Sequence, residues 1–245
     1  MLKKGFSYTV CKCALLVFII FISINVYTTE ITTIYDIQFT MSPGFDGTYP
    51  SPYLNQTVTV QAVVIAINFD NNRVFISSPQ GGAWSSIAVE GLNSRVSVGD
   101  LIEVSGKVSE IMGMTVLTNT QNLIIISRNS HIPEPVNLSV YEALTSEAYE
   151  SVLVRISHLT CRRLNNGSFV VLMEDDSGSI SIGNGFISSL KSDMFVIDGQ
   201  YSYVIGVVNY SHNRFSIHPR SLADIKAAAT GIQATSWGKI KSLYK

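Results

Sequence analysis

Two stretches of this chain carry the pattern that decides its fold: VGDLIEVSGKV at residues 98–108 and IDGQYSYVIGVV at residues 197–208. In each, one glycine opens a strand-like run and a second interrupts it seven positions later, at Gly106 and at Gly206. Glycine weakens the interior of a strand, and it occurs there where the strand bends, bulges or approaches another backbone. The repetition predicts two copies of one β domain, each with a long, bent strand.

The sequence around these stretches completes two sets of five strands. The first set is predicted at residues 57–68, 73–77, 84–90, 98–108 and 115–127, and the second at 150–154, 168–174, 179–182, 199–210 and 214–219. Alternating apolar residues and turn signals between the runs support each strand. Five strands in a small domain, with long first and fourth strands, favour a Greek-key barrel of the OB type. We therefore predict an all-β fold of two tandem five-stranded OB-fold-like barrels.

The chain divides into five predicted segments. These are a signal peptide at 1–29, a first barrel at 30–128, a linker at 129–148, a second barrel at 149–225, and a flexible joint with a basic amphipathic tail at 226–245. Within the first barrel, residues 30–40 are interpreted as a leading extended segment. In the linker, Ser139 and Glu142 have the spacing of a capping box, which predicts a short helix.

The N-terminal residues have the composition of a secretory signal. Lys3, Lys4 and Lys12 precede an apolar run at residues 13–27, which is short for a bilayer span. An uncleaved membrane anchor is the alternative, and it would give the protein its only membrane contact. We expect an exported protein, located outside the cell, at its surface or in a periplasm.

Charge and cysteine content restrict the possible functions. Residues 30–225 carry ten basic and eighteen acidic side chains, which gives a formal charge near −8. A body of that sign repels phosphate, so nucleic-acid binding requires a local positive patch. Cys161 is the only cysteine after residue 29, which excludes an intrachain disulfide and a zinc site built from paired cysteines.

Several segments resemble a known group of proteins. SPYLNQTVTVQAVV at 51–64, RVFISS at 73–78 and VSVGDLIEVSGKVSEIMGMTVL at 96–117 are similar to secreted bacterial OB-fold domains, and YESVLVRI at 149–156 and HPRSLADI at 218–225 look like a related unit. Such tandem domains accompany extracellular nucleases and phosphoesterases. The resemblance implies an accessory module that binds a ligand, with nucleic acid as one candidate, and the chain lacks the catalytic domain that often accompanies these modules.

The first barrel offers one candidate binding surface. If Val74 and Ile76 face the interior, alternation places Arg73 and Phe75 outside, and the same argument applied to the next strand places Trp84 outside. The second and third strands form the usual ligand face of an OB barrel, so these side chains are candidates for stacking on bases. The alternative is that Phe75 and Trp84 cover the barrel beneath a loop or against the second domain.

The second barrel holds the densest group of basic and aromatic side chains. Its members are Tyr210, His212, Arg214, Phe215, His218 and Arg220. Of these, His212, Arg214 and Arg220 are candidate ligand contacts, together with Tyr201 and Tyr203 on the preceding strand. The alternative is structural: Arg220 pairs with an acid, and the tyrosines pack against the linker or tail. The two histidines lack a third metal ligand, so we expect no metal and no other cofactor.

Two further groups of charged residues resemble catalytic or metal-binding clusters, but each is more simply interpreted as solvent-exposed. The acidic residues 174–176 precede a Ser-Gly turn, where carboxylates are usually solvated, and the arginines 162–163 are expected to be exposed in an inserted loop. With no catalytic constellation identified, we do not expect an enzyme.

The predicted function is therefore a non-catalytic, exported binding or adaptor protein. The alternative is a single-stranded nucleic-acid-binding accessory of an extracellular nuclease, and a third possibility is a nuclease in its own right. The ligand is an unidentified protein, oligonucleotide or polysaccharide.

Overall fold

The computed structural model describes residues 30–45, 47–68, 72–165, 169–211 and 214–228. The predicted signal peptide and most of the predicted C-terminal tail lie outside these ranges. Among the described residues, no helix has the length and apolar character needed to cross a membrane.

The first barrel is closed and follows the OB strand order. It begins with helix α1 (Ile34–Gln38) and continues with β1 (Thr57–Asn68), β2 (Arg73–Ser77), β3 (Ser86–Glu90), β4 (Leu101–Ile111) and β5 (Met114–Ser127). Neighbouring strands follow the order β1-β2-β3-β5-β4, and β4 pairs with β1 to close the barrel. The β3–β5 pair is parallel, and the other pairs are antiparallel. This arrangement confirms the predicted fold class.

The second barrel repeats that order. Its elements are β6 (Val136–Leu138), α2 (Val140–Thr145), β7 (Leu153–Asn165), β8 (Val170–Asp175), β9 (Gly178–Ile182), β10 (Gln200–Ser211), β11 (Arg214–His218) and β12 (Ile225–Ala227). The ring runs β7-β8-β9-β11-β10, with a β7–β10 pairing that closes it and a parallel β9–β11 pair. Strand β6 extends the sheet beside β7, and β12 lies beside β10.

A short capped helix precedes each barrel, and only the second of the two was predicted from the sequence. Residues 34–38 form α1 instead of the extended segment that we expected, because Thr33 caps the helix and Ile34 and Ile37, three residues apart, both turn into the core. The capping box of α2 is confirmed: Ser139 accepts from the Glu142 backbone, and the Glu142 side chain accepts from the Ser139 backbone. Helix α1 packs on β3, and α2 packs on β9 and β11.

The two repeated glycines allow the strands to curve in different ways. Gly106 lies at a register shift in the β4–β5 pairing, between Ser105 and Lys107, which is the geometry of a bulge. Gly206 lies where β10 approaches β11: a Cβ there would be 2.6 Å from Ile217 Cγ2. Gly106 thus accompanies a bulge in the β4–β5 pairing, and Gly206 makes room for the close approach of β11.

Three apolar clusters stabilise the molecule. One fills each barrel, and the third, here called the junction, joins the barrels through their outer surfaces. The first barrel contributes Ile65, Ala66, Phe75, Ala88, Met114 and Val116 to the junction, and the second contributes Leu153, Ile205 and Val207. The first barrel therefore packs its β2–β3 surface against β7 and β10 of the second.

Candidate ligand-binding site

The junction covers the surface of the first barrel that we expected to bind ligand. The predicted parity is correct, since Val74 and Ile76 lie in the barrel core and Phe75 points outward. Phe75 is nevertheless only 1% exposed, because its ring packs edge-on against Phe186 of the second barrel at a centroid distance of 5.3 Å. The prediction that Phe75 stacks on a ligand is therefore wrong, and the alternative of packing against the second domain is confirmed.

Arg73 and Trp84 also differ from the predicted stacking surface. The Arg73 side chain is 15% exposed, and it pairs with Glu90 on the neighbouring strand at 3.4 Å. Trp84 lies before β3 rather than in it, is half-buried, and packs edge-on against Phe39 at 5.5 Å. The three predicted residues thus do not form one surface.

The two tyrosines of β10 have structural partners. Tyr201 is 6% exposed in the core of the second barrel, where its hydroxyl accepts a hydrogen bond from the Val196 backbone. Tyr203 packs against the junction, and the Arg155 guanidinium lies 4.5 Å from the centre of its ring. Strand parity predicted both rings to face outward. Tyr203 does face outward, onto the junction, whereas the prediction is wrong for Tyr201, because the β10–β12 pairing shifts register between Tyr201 and Tyr203.

The basic cluster of the second barrel separates into residues with different roles. Arg220 makes two hydrogen bonds to the Asp224 carboxylate with its guanidinium, at 3.1 Å each, so the predicted Arg–acid pair is confirmed. His218 packs against Phe186, and burial lowers its pKa to about 4, which leaves the imidazole neutral near pH 7. His212 lies outside the described residues. Of the predicted basic contacts that the structure describes, Arg214 is the one that is exposed.

Arg214 borders a groove on the second barrel, here called the β9–β11 groove. Its volume is about 380 Å³, and its lining residues are Leu144, Ser179, Ser181, Tyr210, Arg214 and Phe215. The rings of Tyr210 and Phe215 are 4.7 Å apart and inclined by 54°. Among the described residues, Arg214 takes part in no ion pair. The groove therefore combines two adjacent aromatic rings, two hydroxyl groups and an exposed cation.

The OB topology explains why these residues meet. Tyr210 and Phe215 are paired in the β10–β11 hairpin, and Ser179 and Ser181 alternate outward along β9. Strand β9 runs parallel to β11, so β11 and the serine face of β9 lie side by side. The third strand belongs to the usual ligand face of OB barrels. This face is covered in the first barrel and open in the second.

The predicted acidic and basic surface groups stabilise turns. Arg162 lies in β7, not in a loop, and its guanidinium contacts both Glu174 and Asp198. Asp175 accepts a hydrogen bond from the Val140 N–H, which fastens α2 to the β8–β9 turn. Against the effect of burial, hydrogen bonds from the Ser177 hydroxyl and then from the Val140 N–H lower the Asp175 pKa. Among the described residues, no group of three or more histidine, cysteine or acidic side chains could hold a metal ion.

An acidic group at the edge of the junction was not predicted. Glu150 is 2% exposed and accepts a hydrogen bond from the Thr115 backbone, while Glu110 accepts one from the Thr115 hydroxyl. Burial, with repulsion from neighbouring carboxylates, raises the pKa of Glu150 well above its usual value and that of Glu147 to about 8. Single-sequence patterns gave no signal for this group because it assembles only when the barrels pack together.

Comparison with known proteins gives distant structural similarities. No family model matches the chain, and no curated protein matches it. A solved structure of a murine DNA-binding protein with double-stranded DNA is similar at 10% identity and a TM-score of 0.35, covering 70% of this chain and 98% of that one. The Ifi202 HINa domain in complex with 20-bp double-stranded DNA has 11% identity and a TM-score of 0.34, with 71% and 96% coverage. The description of this chain therefore rests on its observed strand topology, which is a tandem of two OB-like barrels.

Proposed function

We propose that this chain is an exported, non-catalytic binding module that takes a short segment of single-stranded nucleic acid in the β9–β11 groove. The observation that carries the proposal is the unequal state of the two barrels. The first barrel uses its ligand face to build the junction, and the second leaves a groove lined by the half-buried rings of Tyr210 and Phe215 and by the exposed Arg214.

The chemistry of the groove suits one or two nucleotides. Stacking of a base on an aromatic side chain is worth about 1–3 kcal/mol, and it tolerates any base because each has a π-face. Phe215 and Tyr210 supply the rings, Arg214 supplies a cation for one phosphate, and the serine hydroxyls of β9 supply hydrogen bonds to base edges or sugar.

The charge of the protein sets the expected strength of binding. A body near −8 repels a polyanion, and the single exposed arginine of the groove neutralises few phosphates. Each phosphate contact contributes a slope of about −0.7 to the dependence of log affinity on log salt for a single strand. We therefore expect weak binding with a shallow salt dependence, in which stacking contributes more than charge.

Fluorescence anisotropy with a labelled oligo(dT) tests the proposal. Phe215→Leu keeps apolar volume beside the barrel core but removes the ring, and it should weaken binding at least about tenfold, which corresponds to 1.4 kcal/mol. Arg214→Gln should weaken binding at low salt and reduce the salt slope by roughly one phosphate contact. The labelled strand should also stay intact in the presence of Mg²⁺, as expected for a module without catalytic activity.

Arg95→Gln is the matched control, because Arg95 is an exposed arginine of the first barrel. It should leave oligonucleotide affinity unchanged. If the protein shows no affinity at low salt, or if Arg95→Gln weakens binding as much as Arg214→Gln, the groove is not the site. Cleavage of the strand by the purified protein would overturn the non-catalytic part of the proposal.

A further inference from the structure

A second surface, on the first barrel and formed by none of the residues that line the β9–β11 groove, carries three aromatic rings in a row. Tyr35 and Phe39 stack in parallel with centroids 5.1 Å apart, and the edge of Trp84 meets Phe39 at 5.5 Å. Tyr35 is 49% exposed and Phe39 is 39% exposed. These three residues are called the aromatic row below.

The aromatic row is held in place by hydrogen bonds and by the core. The Gln38 side chain donates to the Ser86 carbonyl at 2.7 Å, which fixes α1 on β3. The neighbouring residues Ile34 and Ile37 are buried in the barrel. The two rings of α1 therefore stay exposed because the opposite side of the same short helix is anchored.

Trp84 reaches the aromatic row through an unusual backbone conformation. Its φ of 61° lies in the left-handed region, which a bulky side chain rarely adopts. The Trp84 N–H donates to the Ala148 carbonyl of the second domain at 2.7 Å, and the Ser85 hydroxyl donates to the Gly82 carbonyl. Strain of this kind is kept where the surrounding structure imposes it, and it is concentrated at functional sites.

A cleft of about 400 Å³ adjoins Tyr35 and continues the surface. It is lined by residues 31–35, Gln61 and residues 78–80. The polar side chains among them are hydroxyls and amides, such as Thr32, Gln61 and Gln80, and no lining residue is charged. The surface as a whole therefore offers flat aromatic faces next to neutral donors and acceptors.

The charges around the cleft exclude phosphate as a ligand group. The Thr33 hydroxyl, which lines the cleft, donates to the Asp36 carboxylate, and Gln61 lies opposite Glu103 in the β1–β4 pair. Both charges are negative, and a phosphate there would meet repulsion without a compensating cation. A neutral ligand with many hydroxyl groups avoids this repulsion and satisfies the amides and hydroxyls of the cleft.

We propose that the aromatic row and the adjoining cleft form a binding site for a neutral oligosaccharide. One sugar ring stacks its apolar face on Tyr35, and hydroxyls of the next ring bond to Gln61 and Gln80 in the cleft. Phe39, which stacks on the other face of Tyr35, and Trp84, which packs against Phe39, hold the Tyr35 ring in position for this contact. The site shares no lining residue with the proposed oligonucleotide groove.

Titration with neutral hexasaccharides tests the proposal. A panel of gluco-, xylo-, manno- and chito-configured hexasaccharides is titrated into the purified protein, followed by calorimetry and by tryptophan fluorescence. At least one sugar should bind, and Tyr35→Ala should weaken its affinity at least about tenfold. Gln80→Ala should weaken the same sugar by a smaller factor, since it removes hydrogen bonds but keeps the ring surface.

Tyr141→Ala is a matched control within the same molecule. Tyr141 is the second residue of α2, as Tyr35 is of α1, and it is 61% exposed. It should leave sugar binding unchanged, and Tyr35→Ala should leave oligo(dT) binding unchanged, which separates this proposal from the previous one. Absence of binding across the panel, equal affinity in Tyr35→Ala, or binding of a proline-rich peptide in place of every sugar would overturn it.

Discussion

At the scale of single residues, the two glycines of the long fourth strands show that close packing in a barrel restricts which side chains fit at a given position. Gly106 opposes Val58 in the first barrel, and Gly206 opposes Val154 in the second. The equivalent position therefore lacks a side chain in both copies. The space above each is different: a Cβ at Gly106 would lie 3.1 Å from Leu117 Cβ, whereas one at Gly206 would lie 2.7 Å from the His218 carbonyl carbon.

This difference predicts unequal costs for the same substitution. Gly206→Ala should lower the free energy of unfolding by about 1–3 kcal/mol, because β10 and the backbone at the end of β11 must separate. Gly106→Ala should lower the free energy of unfolding by less, since Leu117 and Thr118 need to move by only a few tenths of an ångström to admit the added methyl group. Urea denaturation of both variants measures the difference, and equal midpoints would contradict it.

At the scale of elements, a short helix before each barrel is stabilised by its cap rather than by its length. Helices α1 and α2 have five and six residues, too few to form alone in water. Each depends on a hydroxyl at its N-cap and on two or three apolar residues that enter the barrel core. The pattern of α2 was recognisable from Ser139 and Glu142, whereas α1 has no capping box and was interpreted as extended.

Removal of the α2 cap should destabilise the second barrel measurably. Ser139→Ala leaves the Glu142 N–H without its side-chain acceptor, so we expect a loss of about 0.5–2 kcal/mol in the free energy of unfolding. Ser221→Ala is the control, because Ser221 precedes a single 3-10 turn without a side-chain cap bond. Chemical denaturation followed by circular dichroism distinguishes the two, and a Ser221→Ala loss as large as that of Ser139→Ala would argue against the cap.

At the scale of the whole molecule, the junction converts two similar barrels into one asymmetric unit. It buries the expected ligand face of the first barrel and brings Glu147 and Glu150 near Glu110 on β4. The groups facing Glu150 from the first barrel are Glu110 on β4, the backbone of Thr115 on β5 and the amide of Gln38 on α1. Because none of these groups is a cation, the folded protein favours the protonated, neutral form of the carboxyl groups.

This arrangement predicts that stability falls as pH rises. The pKa of Glu147 is raised from 4.5 to about 8 in the folded protein, so the folded state holds its proton more tightly than the unfolded chain does. The stabilisation is complete below pH 4.5, declines between these values, and is lost above about pH 8. His218, whose pKa is lowered from 6.5 to about 4, acts in the opposite direction below pH 6.5, so urea midpoints should decrease with pH most clearly between about pH 6.5 and 8.

Glu147→Gln should flatten that profile. It replaces a carboxylate that is uncompensated at high pH by a neutral amide, so we expect about 1–3 kcal/mol of added stability above pH 8 and little change at pH 4. Glu134→Gln, an exposed position in the extended linker, is the control and should follow the wild-type profile. A parallel shift of the Glu147→Gln curve at every pH would indicate an effect other than its ionisation.

The sequence by itself determined what depends on local pattern. Alternation, turn residues and repeated glycines predicted nine of the ten barrel strands to within three residues at each end, together with the tandem OB order and the cap of α2, because each is encoded within a few neighbouring residues. The exception is β7, which was predicted at residues 150–154 and extends over Leu153–Asn165. Strand parity also placed Val74, Ile76 and Phe75 on their correct sides. Only the tertiary structure decided which outward side chains meet solvent. Phe75 lies in the junction, and Tyr201 lies in the core of the second barrel. Tyr35 and Phe39 meet Trp84 from a separate segment of the chain. The reason is physical: burial of an outer barrel face depends on contacts between residues far apart in the chain.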